Sequence, residues 1–320
     1  MKTSEKIYQL LSQTDDFVSG EYLADQLSIS RTSVWKSIKS LENQGIQIDS
    51  LKHKGYRMVQ GDILLPKTIS QGLGMPVTYT PHSQSTQLDA KQGIEAHNSA
   101  PRLYLAPSQE AAKGRLDRQF FSASTGGIYM SMYLKPNVPY ADMPPYTMMV
   151  ASSIVKAISR LTGIDTEIKW VNDIYLGNHK VAGILTEAIT SVETGLITDV
   201  IIGVGLNFFV TDFPEAIAQK AGSLFTEKPT ITRNDLIIDI WKLFLSIPVK
   251  DHVKVYKEKS LVLNKQVTFI ENSQEKRAIA IDLTDQGHLI VQFDNGDLQT
   301  LRSGEISLSS WENQPFLKWF

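Results

Sequence analysis

Apolar residues recur at helical spacing through the first 45 positions of the chain. The stripes of three successive helices are Ile7, Leu10 and Leu11, then Leu23, Ala24 and Leu27, and finally Val34, Ile38 and Leu41. The third helix is predicted from about Arg31 to Gln44, where Gly45 ends it. The short polar turn at residues 28–30 between the second and third helices is typical of a helix-turn-helix.

Two short stretches, Ile46–Ile48 and Tyr56–Val59, predict a hairpin with a basic tip, which would be the wing of a winged helix-turn-helix. Residues 31–60 carry six basic and two acidic side chains, whereas residues 1–30 carry two basic and five acidic ones. The side chains expected to face DNA are Arg31, Thr32, Ser33, Lys36, Ser37 and Lys39 on the third helix and Lys52 and Lys54 on the wing. The alternative is a helical adaptor that binds a protein.

Residues 61–81 contain three prolines and several glycines, which predict a linker or boundary. The stretches that predict strands beyond it are Val77–Thr80, Arg102–Ala106, Gly127–Leu134 and Gly203–Phe209. Helices are predicted over about residues 86–94, 151–161 and 236–245. Such a mixture predicts an α+β fold with a mixed or antiparallel sheet.

After Leu261 the pattern changes to short alternating strands separated by Gly-containing turns, which predict a small β-barrel. The predicted strands are Gln266–Ile270, Arg277–Leu283, His288–Phe293 and Leu298–Leu301. The patterns divide the chain into domains at residues 1–62, 63–262 and 263–320. The tail Trp311–Phe320 has no assigned role.

Composition excludes several classes of protein. The 320 residues include no cysteine, which rules out disulfides, thiolate zinc sites and cysteine nucleophiles. The longest apolar run, Val200–Val210, is far short of the roughly 20 residues that span a bilayer. The N-terminus has no apolar signal core, so a cytoplasmic location with no membrane partner is expected. The six histidines form neither a hydrolase triad nor a metal-binding motif, so no metal ligand is predicted.

The most informative stretch is residues 169–185. Two apolar runs flank the polar tip Gly177-Asn178-His179, which predicts a hairpin. Lys169, Asn172, Asp173 and Lys180 fall within it. Side chains alternate between the faces of a strand, so spacing alone does not decide which of the four face a pocket.

Four segments resemble the signatures of biotin protein ligases. Lys169-Trp170-Val171-Asn172-Asp173 and Lys180-Val181-Ala182-Gly183-Ile184-Leu185 resemble Lys-Trp-Pro-Asn-Asp…Lys-x-Ala-Gly-Ile-Leu, with Lys180 at the catalytic lysine. Residues 109–118 resemble the Gly-Arg-Gly-Arg-x-Gly-Arg nucleotide loop, and residues 203–207 resemble Gly-x-Gly-Ile-Asn. Ser85-Thr86-Gln87 is similar to the family's Ser-Thr-Asn. The departures are Val171 for proline, Gln87 for asparagine, Ala112 and Asp117 for glycines, Lys113 for arginine and Phe120 for tryptophan.

The resemblance implies a central ligase domain of the class II synthetase and biotin-lipoate ligase type and a C-terminal SH3-like domain. It implies a biotin–[acetyl-CoA-carboxylase] ligase that activates biotin with ATP to biotinyl-5′-AMP, with Mg²⁺ expected alongside. The biotinyl group would pass to a lysine of a biotin carboxyl carrier protein domain. The same chain would bind operator DNA and repress biotin genes as a homodimer when the adenylate is bound.

The resemblance also implies roles for individual residues. Lys180, Arg115 and Arg118 would be catalytic. The residues implied to bind biotin are Ser85, Thr86, Gln87, Gln109, Lys113, Gly114, Arg115, Lys180, Gly183, Gly203 and Gly205. The residues implied to bind ATP are Arg115, Arg118, Phe120, Asn172, Asp173 and Asn207.

Two alternatives remain open. One is a lipoate-type acyl-adenylating ligase, since that family shares the fold. The other is a non-catalytic or weakly catalytic transcription factor that senses a ligand, which the altered loop at residues 113–120 makes plausible. Pyrophosphate release with biotin and ATP separates them.

Overall fold

A computed structural model describes residues 2–302, 304 and 306–308 of the chain. The N-terminal elements are the helices α1 (Thr3–Leu11), α2 (Gly20–Leu27) and α3 (Arg31–Glu42) and the strands β1 (Gln47–Leu51) and β2 (Gly55–Gln60). Ser19 and Ser30 cap α2 and α3 by accepting hydrogen bonds from backbone N–H groups of the first turn. The predicted stripe residues Ile7, Leu23 and Leu41 are fully buried. These elements confirm the predicted winged helix-turn-helix.

The predicted linker region contains ordered structure. Helix α4 (Pro66–Leu73) begins with a proline at its first position, and strand β3 (Val77–Tyr79) follows it. Ile69 of α4 is fully buried. The helix packs against a later helix, Arg233–Ser246, so the connection is part of the folded body.

A seven-stranded sheet forms the centre of the molecule. Its elements in chain order are β3, α5 (Thr86–Glu95), β4 (Arg102–Ala106), β5 (Gly127–Leu134), α6 (Tyr146–Thr162), β6 (Glu167–Lys169), β7 (Asp173–Leu176), β8 (His179–Thr190) and β9 (Ile197–Asn207). The strand order is β3-β4-β5-β9-β8-β7-β6, with β3 and β4 parallel and the other pairs antiparallel. This confirms the predicted mixed sheet.

Three further helices follow the sheet: α7 (Glu215–Ala218), α8 (Arg233–Ser246) and α9 (Val249–Glu258). Helix α6 packs against α8, α9 and β8. Its buried Val150, Ile154 and Ile158 belong to the same core as Trp241 of α8. The core therefore lies between these helices and one face of the sheet, and the other face is left for the site.

The C-terminal strands are β10 (Gln266–Glu271), β11 (Gln274–Leu283), β12 (Leu289–Gln292), β13 (Leu298–Leu301) and β14 (Ile306–Leu308). They form an antiparallel sheet in the order β13-β12-β11-β10-β14. Trp170 Nε1 donates to the Gly287 carbonyl at 2.9 Å, and Lys257 pairs with Asp282 at 2.8 Å, so this sheet is attached to the central one. The tail Trp311–Phe320, together with Ser303 and Glu305, lies outside the described residues.

Within the described part of the chain, none of the helices has the length and apolar character needed to cross a membrane.

Candidate active site and DNA-binding face

Strand register produces a trough on the free face of the central sheet. Asp173, Gly183, Gly205 and Tyr129 lie side by side on β7, β8, β9 and β5. In the next row, Gly203 lies between Leu185 and Ser131. Paired residues project to the same face, so the three glycines leave a strip without side chains. The family signatures singled out these glycines, but their alignment depends on register between strands far apart in the chain.

The start of α5 forms one wall of the trough. The Thr86 hydroxyl lies 2.8 Å from the Ser131 hydroxyl, and the Thr86 backbone N–H donates to Gln109 Oε1 at 2.7 Å. The Ser85 hydroxyl accepts from the Leu88 N–H as the helix N-cap. Thr86 and Gln109, which were both expected to bind biotin, therefore lie together, while Ser85 acts as the cap of the helix.

Gln87 lies over Gly203. Its Oε1 atom is buried, and a methyl group added at Gly203 would stand only 2.9 Å from it. Its Nε2 atom donates to Glu187 at 2.8 Å, and Glu187 also pairs with Lys91 at 2.9 Å. No sequence pattern indicated Glu187 or Lys91, because the contact joins residues about a hundred positions apart.

Lys180 lies on the opposite side of the trough. Its Nζ atom is 2.7 Å from Asp173 Oδ1, and a methyl group added at Gly183 would stand 3.1 Å from the same Nζ atom. The Lys180 main chain accepts from Gly222 N–H and donates to the Lys220 carbonyl. The charged side chains of Lys180 and Asp173 are partly buried, at 35% and 23% exposure, so their mutual attraction is screened less than that of a surface pair.

The loop between β4 and β5 reaches across the trough. Gly114 N–H donates to the Arg118 carbonyl at 2.7 Å, and Phe120 N–H donates to the Ala112 carbonyl at 2.9 Å, which closes a tight hairpin. The Phe120 ring lies directly on Gly205, where even a methyl group would collide with it. A ligand that fills the trough at Gly205 therefore has to displace this ring.

The basic residues of the loop point in different directions. Lys113 is exposed and pairs with Asp117 at 2.9 Å, which lowers the pKa of that carboxyl. Arg115 Nη1 contacts Asn172 Oδ1 at 3.5 Å and the Gly304 carbonyl at 3.2 Å. Arg115 and Asn172 line a cavity of about 250 Å³, and Arg118 is half-buried at the end of the hairpin.

Asn207 lies at the end of β9. Its Nδ2 atom donates to the Gly222 carbonyl at 3.0 Å, and its buried Oδ1 atom accepts no hydrogen bond from the residues that the structure describes. The amide therefore offers an acceptor at the rim of the trough.

The third helix carries most of the predicted DNA-binding residues on its surface. Arg31, Thr32, Lys36 and Lys39 are exposed, as are Lys52 and Lys54 on the wing, and Ser33 is half-buried. Lys39 is paired with Glu42 at 2.6 Å.

Two residues of this helix differ from expectation. The prediction for Ser37 was wrong: it is buried, because position 37 falls on the stripe of Val34, Ile38 and Leu41. Trp35, which no sequence pattern singled out, is 51% exposed on the same helix.

Comparison with known proteins matches all three parts of the chain. Residues 3–57 match an HTH domain, residues 79–207 the biotin/lipoate A/B protein ligase family, and residues 262–309 the biotin protein ligase C-terminal domain. The bifunctional ligase/repressor BirA of Bacillus subtilis (strain 168) is 36% identical over 229 residues, which cover 68% of this chain and 69% of that protein. The chain belongs to the biotin protein ligases of the bifunctional ligase/repressor type.

Other relatives of this ligase span nearly its whole length. The bifunctional ligase/repressor BirA of Escherichia coli (strain K12) is 26% identical over 317 residues, 96% of this chain and 97% of that protein. The solved structure of the Aquifex aeolicus biotin protein ligase in complex with biotin and ATP has a TM-score of 0.61, at 23% identity. The matched region covers 73% of this chain and 98% of the Aquifex aeolicus chain, and the likeness confirms the fold. The predicted ligase and repressor functions are confirmed at the level of the family.

Proposed function

We propose that this ligase activates biotin with ATP to give biotinyl-5′-AMP and pyrophosphate, and then transfers the biotinyl group to a lysine of a biotin carrier domain. The observation that carries the proposal is the glycine trough with Lys180 at one side and Thr86 and Gln87 at the other. The bicyclic ring of biotin would lie over the strip without side chains. The valerate chain of biotin would then run toward Lys180.

The chemistry requires positive charge. A carboxylate oxygen of biotin attacks the α-phosphorus of ATP, the bond to the β-phosphate oxygen breaks, and pyrophosphate leaves. Two anions approach each other in this step, so fixed cations lower its barrier. Lys180 would lie between the carboxylate and the α-phosphate, while Arg115 and Arg118 would hold the polyphosphate through their planar guanidinium groups.

The ion pair with Asp173 gives Lys180 a defined position before substrate arrives. A preorganised charge costs little reorganisation in the transition state. In the second step the carrier lysine nitrogen attacks the acyl carbon of the adenylate, the bond to the phosphate oxygen breaks, and AMP leaves. The attacking amine loses its proton to solvent or to the departing phosphate.

Magnesium would enter with ATP. Mg²⁺ keeps several waters and takes one or two carboxylates besides the phosphate oxygens. Among the described residues no group of three acidic or histidine side chains could hold a metal, and Asp173 is the carboxylate that lies beside Lys180. A single carboxylate fits an ion held mainly by phosphates, where it would neutralise part of the ion's charge.

The test is pyrophosphate release from ATP with biotin, lipoate and octanoate in parallel. Release with biotin alone is the expected result. Release with lipoate or octanoate but not biotin would identify a lipoate-type ligase instead, and no release with any of them would leave a ligand-sensing transcription factor.

We further propose that the winged helix binds paired operator half-sites as a homodimer that forms when the adenylate is bound. Specific sites for such modules are usually read by a two-fold dimer. The loop that carries Phe120 has to move for a ligand to fill the trough, so it is an element whose state the adenylate can change. Sedimentation of the ligand-free and adenylate-bound forms, followed by operator titration, tests this. Equal dimerisation and operator affinity in both forms would contradict it.

A further inference from the structure

The contact between Gln87 and Glu187 fixes which end of the Gln87 amide faces the trough. A carboxylate at neutral pH has only acceptor oxygens. The atom of Gln87 that lies 2.8 Å from Glu187 Oε2 must therefore be the donor nitrogen. The Oε1 atom is left on the other side, over Gly203.

Two features hold the carboxylate of Glu187 in place. It lies on β8 two residues beyond Leu185, on the face of the sheet that carries the trough. Lys91 lies one helical turn after Gln87 on α5 and pairs with Glu187 Oε1 at 2.9 Å. One carboxylate thus receives both side chains of the helix, one on each oxygen.

The result is a buried acceptor with no partner in the described protein. A buried acceptor that stays unpaired is unfavourable. A ligand that brings an N–H donor to this atom therefore binds more tightly than a ligand without one. Had the amide been free to rotate, position 87 would accept or donate equally well. The acidic side chain removes that freedom.

We propose that Glu187 and Lys91 are positioning residues that make Gln87 an obligate acceptor, and that they thereby select a ligand ring bearing N–H groups. The proposal rests on the proposed function, because biotin is the ligand whose ureido ring carries such donors. A dithiolane ring as in lipoate carries none. The positioning pair therefore favours biotin over lipoate without touching either ligand.

The test is a cycle of variants in the full-length protein, with biotin affinity measured by calorimetry. Glu187→Gln removes the constraint because an amide can accept as well as donate, and it should weaken biotin binding roughly tenfold. In a Gln87→Leu background the same change should have no further effect. Lys91→Met should weaken binding by a smaller factor, and Glu193→Gln, an exposed glutamate outside the trough, should change nothing.

Steady-state kinetics distinguish a positioning role of Glu187 from a purely structural one. In pyrophosphate release, Glu187→Gln should raise KM for biotin with little change in kcat, and Glu187→Asp, which keeps an acceptor-only group, should recover part of the loss. The preference for biotin over its two N-methyl ureido analogues should fall in Glu187→Gln. If Glu187→Gln weakened biotin binding equally in the wild-type and Gln87→Leu backgrounds, the positioning role would be overturned. The proposed function would not be affected by that result. A wild-type protein that does not bind biotin would overturn this inference and the proposed function together.

Discussion

Arg233 at the start of α8 forms a buried ion pair with Asp62, with 2.5 Å between Nε and Oδ1. The two side chains are 6% and 11% exposed. The guanidinium also donates to the Asp62 carbonyl at 2.7 Å and to the Gly127 carbonyl at 3.0 Å, at the first residue of β5. Asn234 continues the joint by donating to the Ile63 carbonyl and accepting from Leu65 N–H, both at 2.8 Å. The DNA-binding part and the central sheet are therefore joined by a fixed polar contact.

The first prediction concerns this joint. Arg233→Met leaves the Asp62 carboxylate buried without its charge partner, so the free energy of unfolding should fall by about 3–5 kcal/mol. Urea denaturation measures it. The matched control is Lys254→Met, which breaks the exposed pair with Glu258 at 3.9 Å and should cost under about 1 kcal/mol. Equal costs for the two variants would mean that the joint contributes no more than a surface pair.

The second prediction concerns catalysis. Lys180→Ala should yield a folded protein that forms little adenylate, since loss of the charge at the developing transition state costs on the order of 3 kcal/mol. Biotin-dependent pyrophosphate release measures the loss, with the exposed Lys135→Ala as control. Release at the wild-type rate in Lys180→Ala would remove this lysine from the catalytic step.

Sequence patterns were sufficient to predict the bounds of three strands. Arg102–Ala106, Gly127–Leu134 and Leu298–Leu301 are predicted with the bounds that the structure shows. The first two are mainly apolar runs with clear ends, and the third follows the turn Asp294-Asn295-Gly296. Helix α9 was missed because only three of its ten residues, His252, Val253 and Tyr256, are buried. With so few buried residues among its charged ones, the helix has only a short apolar stripe in the sequence.

The site was predictable only in part. Individual residues such as Lys180 and Gly203 were found through family signatures, but the assigned roles stay predictions. The alignment of Gly183 with Gly205 and the contact of Gln87 with Glu187 depend on strand pairing between distant segments, which no local pattern encodes. The domain boundaries after residues 62 and 262 likewise stay predictions.

The third prediction concerns DNA. Lys36 is exposed on α3, so Lys36→Ala should weaken operator and non-specific DNA alike and lower the salt slope of binding by about one. If Arg31 contacts a guanine, Arg31→Ala should remove roughly 1–3 kcal/mol of sequence preference. Fluorescence anisotropy over a salt series measures both. Lys250→Ala, on the exposed start of α9, is the control.

Ligation should be unchanged in the same DNA variants, because α3 contributes no residue to the trough. Biotin transfer to a carrier domain checks this for Arg31→Ala and Lys36→Ala. Loss of ligation in either variant would contradict the separation of the two activities.

The last prediction concerns pH. His252 on α9 is 1% exposed, with its Nδ1 atom 2.6 Å from the Ser152 hydroxyl of α6 and its Nε2 atom buried without a hydrogen bond from the described residues. Burial lowers the pKa of this histidine below its usual 6.5, the Phe244 backbone and Asp251 oppose this shift in part, and Lys156 adds to it. The folded state thus keeps the ring neutral, while the unfolded chain takes up a proton below pH 6.5.

Stability from His252 is therefore complete above pH 6.5 and is lost as the pH falls from there toward the lowered folded pKa. Between about pH 7.5 and 5.5 the free energy of unfolding should therefore decrease, because the unfolded chain takes up the proton at a higher pH than the folded protein does. His252→Gln keeps a polar group for Ser152 but does not titrate, so its urea midpoint should change less over this range. His97 is exposed, so in His97→Gln the urea midpoint should change with pH as it does in the wild-type protein. If the urea midpoint of His252→Gln also changes with pH as in the wild-type protein, the pH dependence of stability comes from other groups. The neutral His252 ring between α6 and α9 is then not its source.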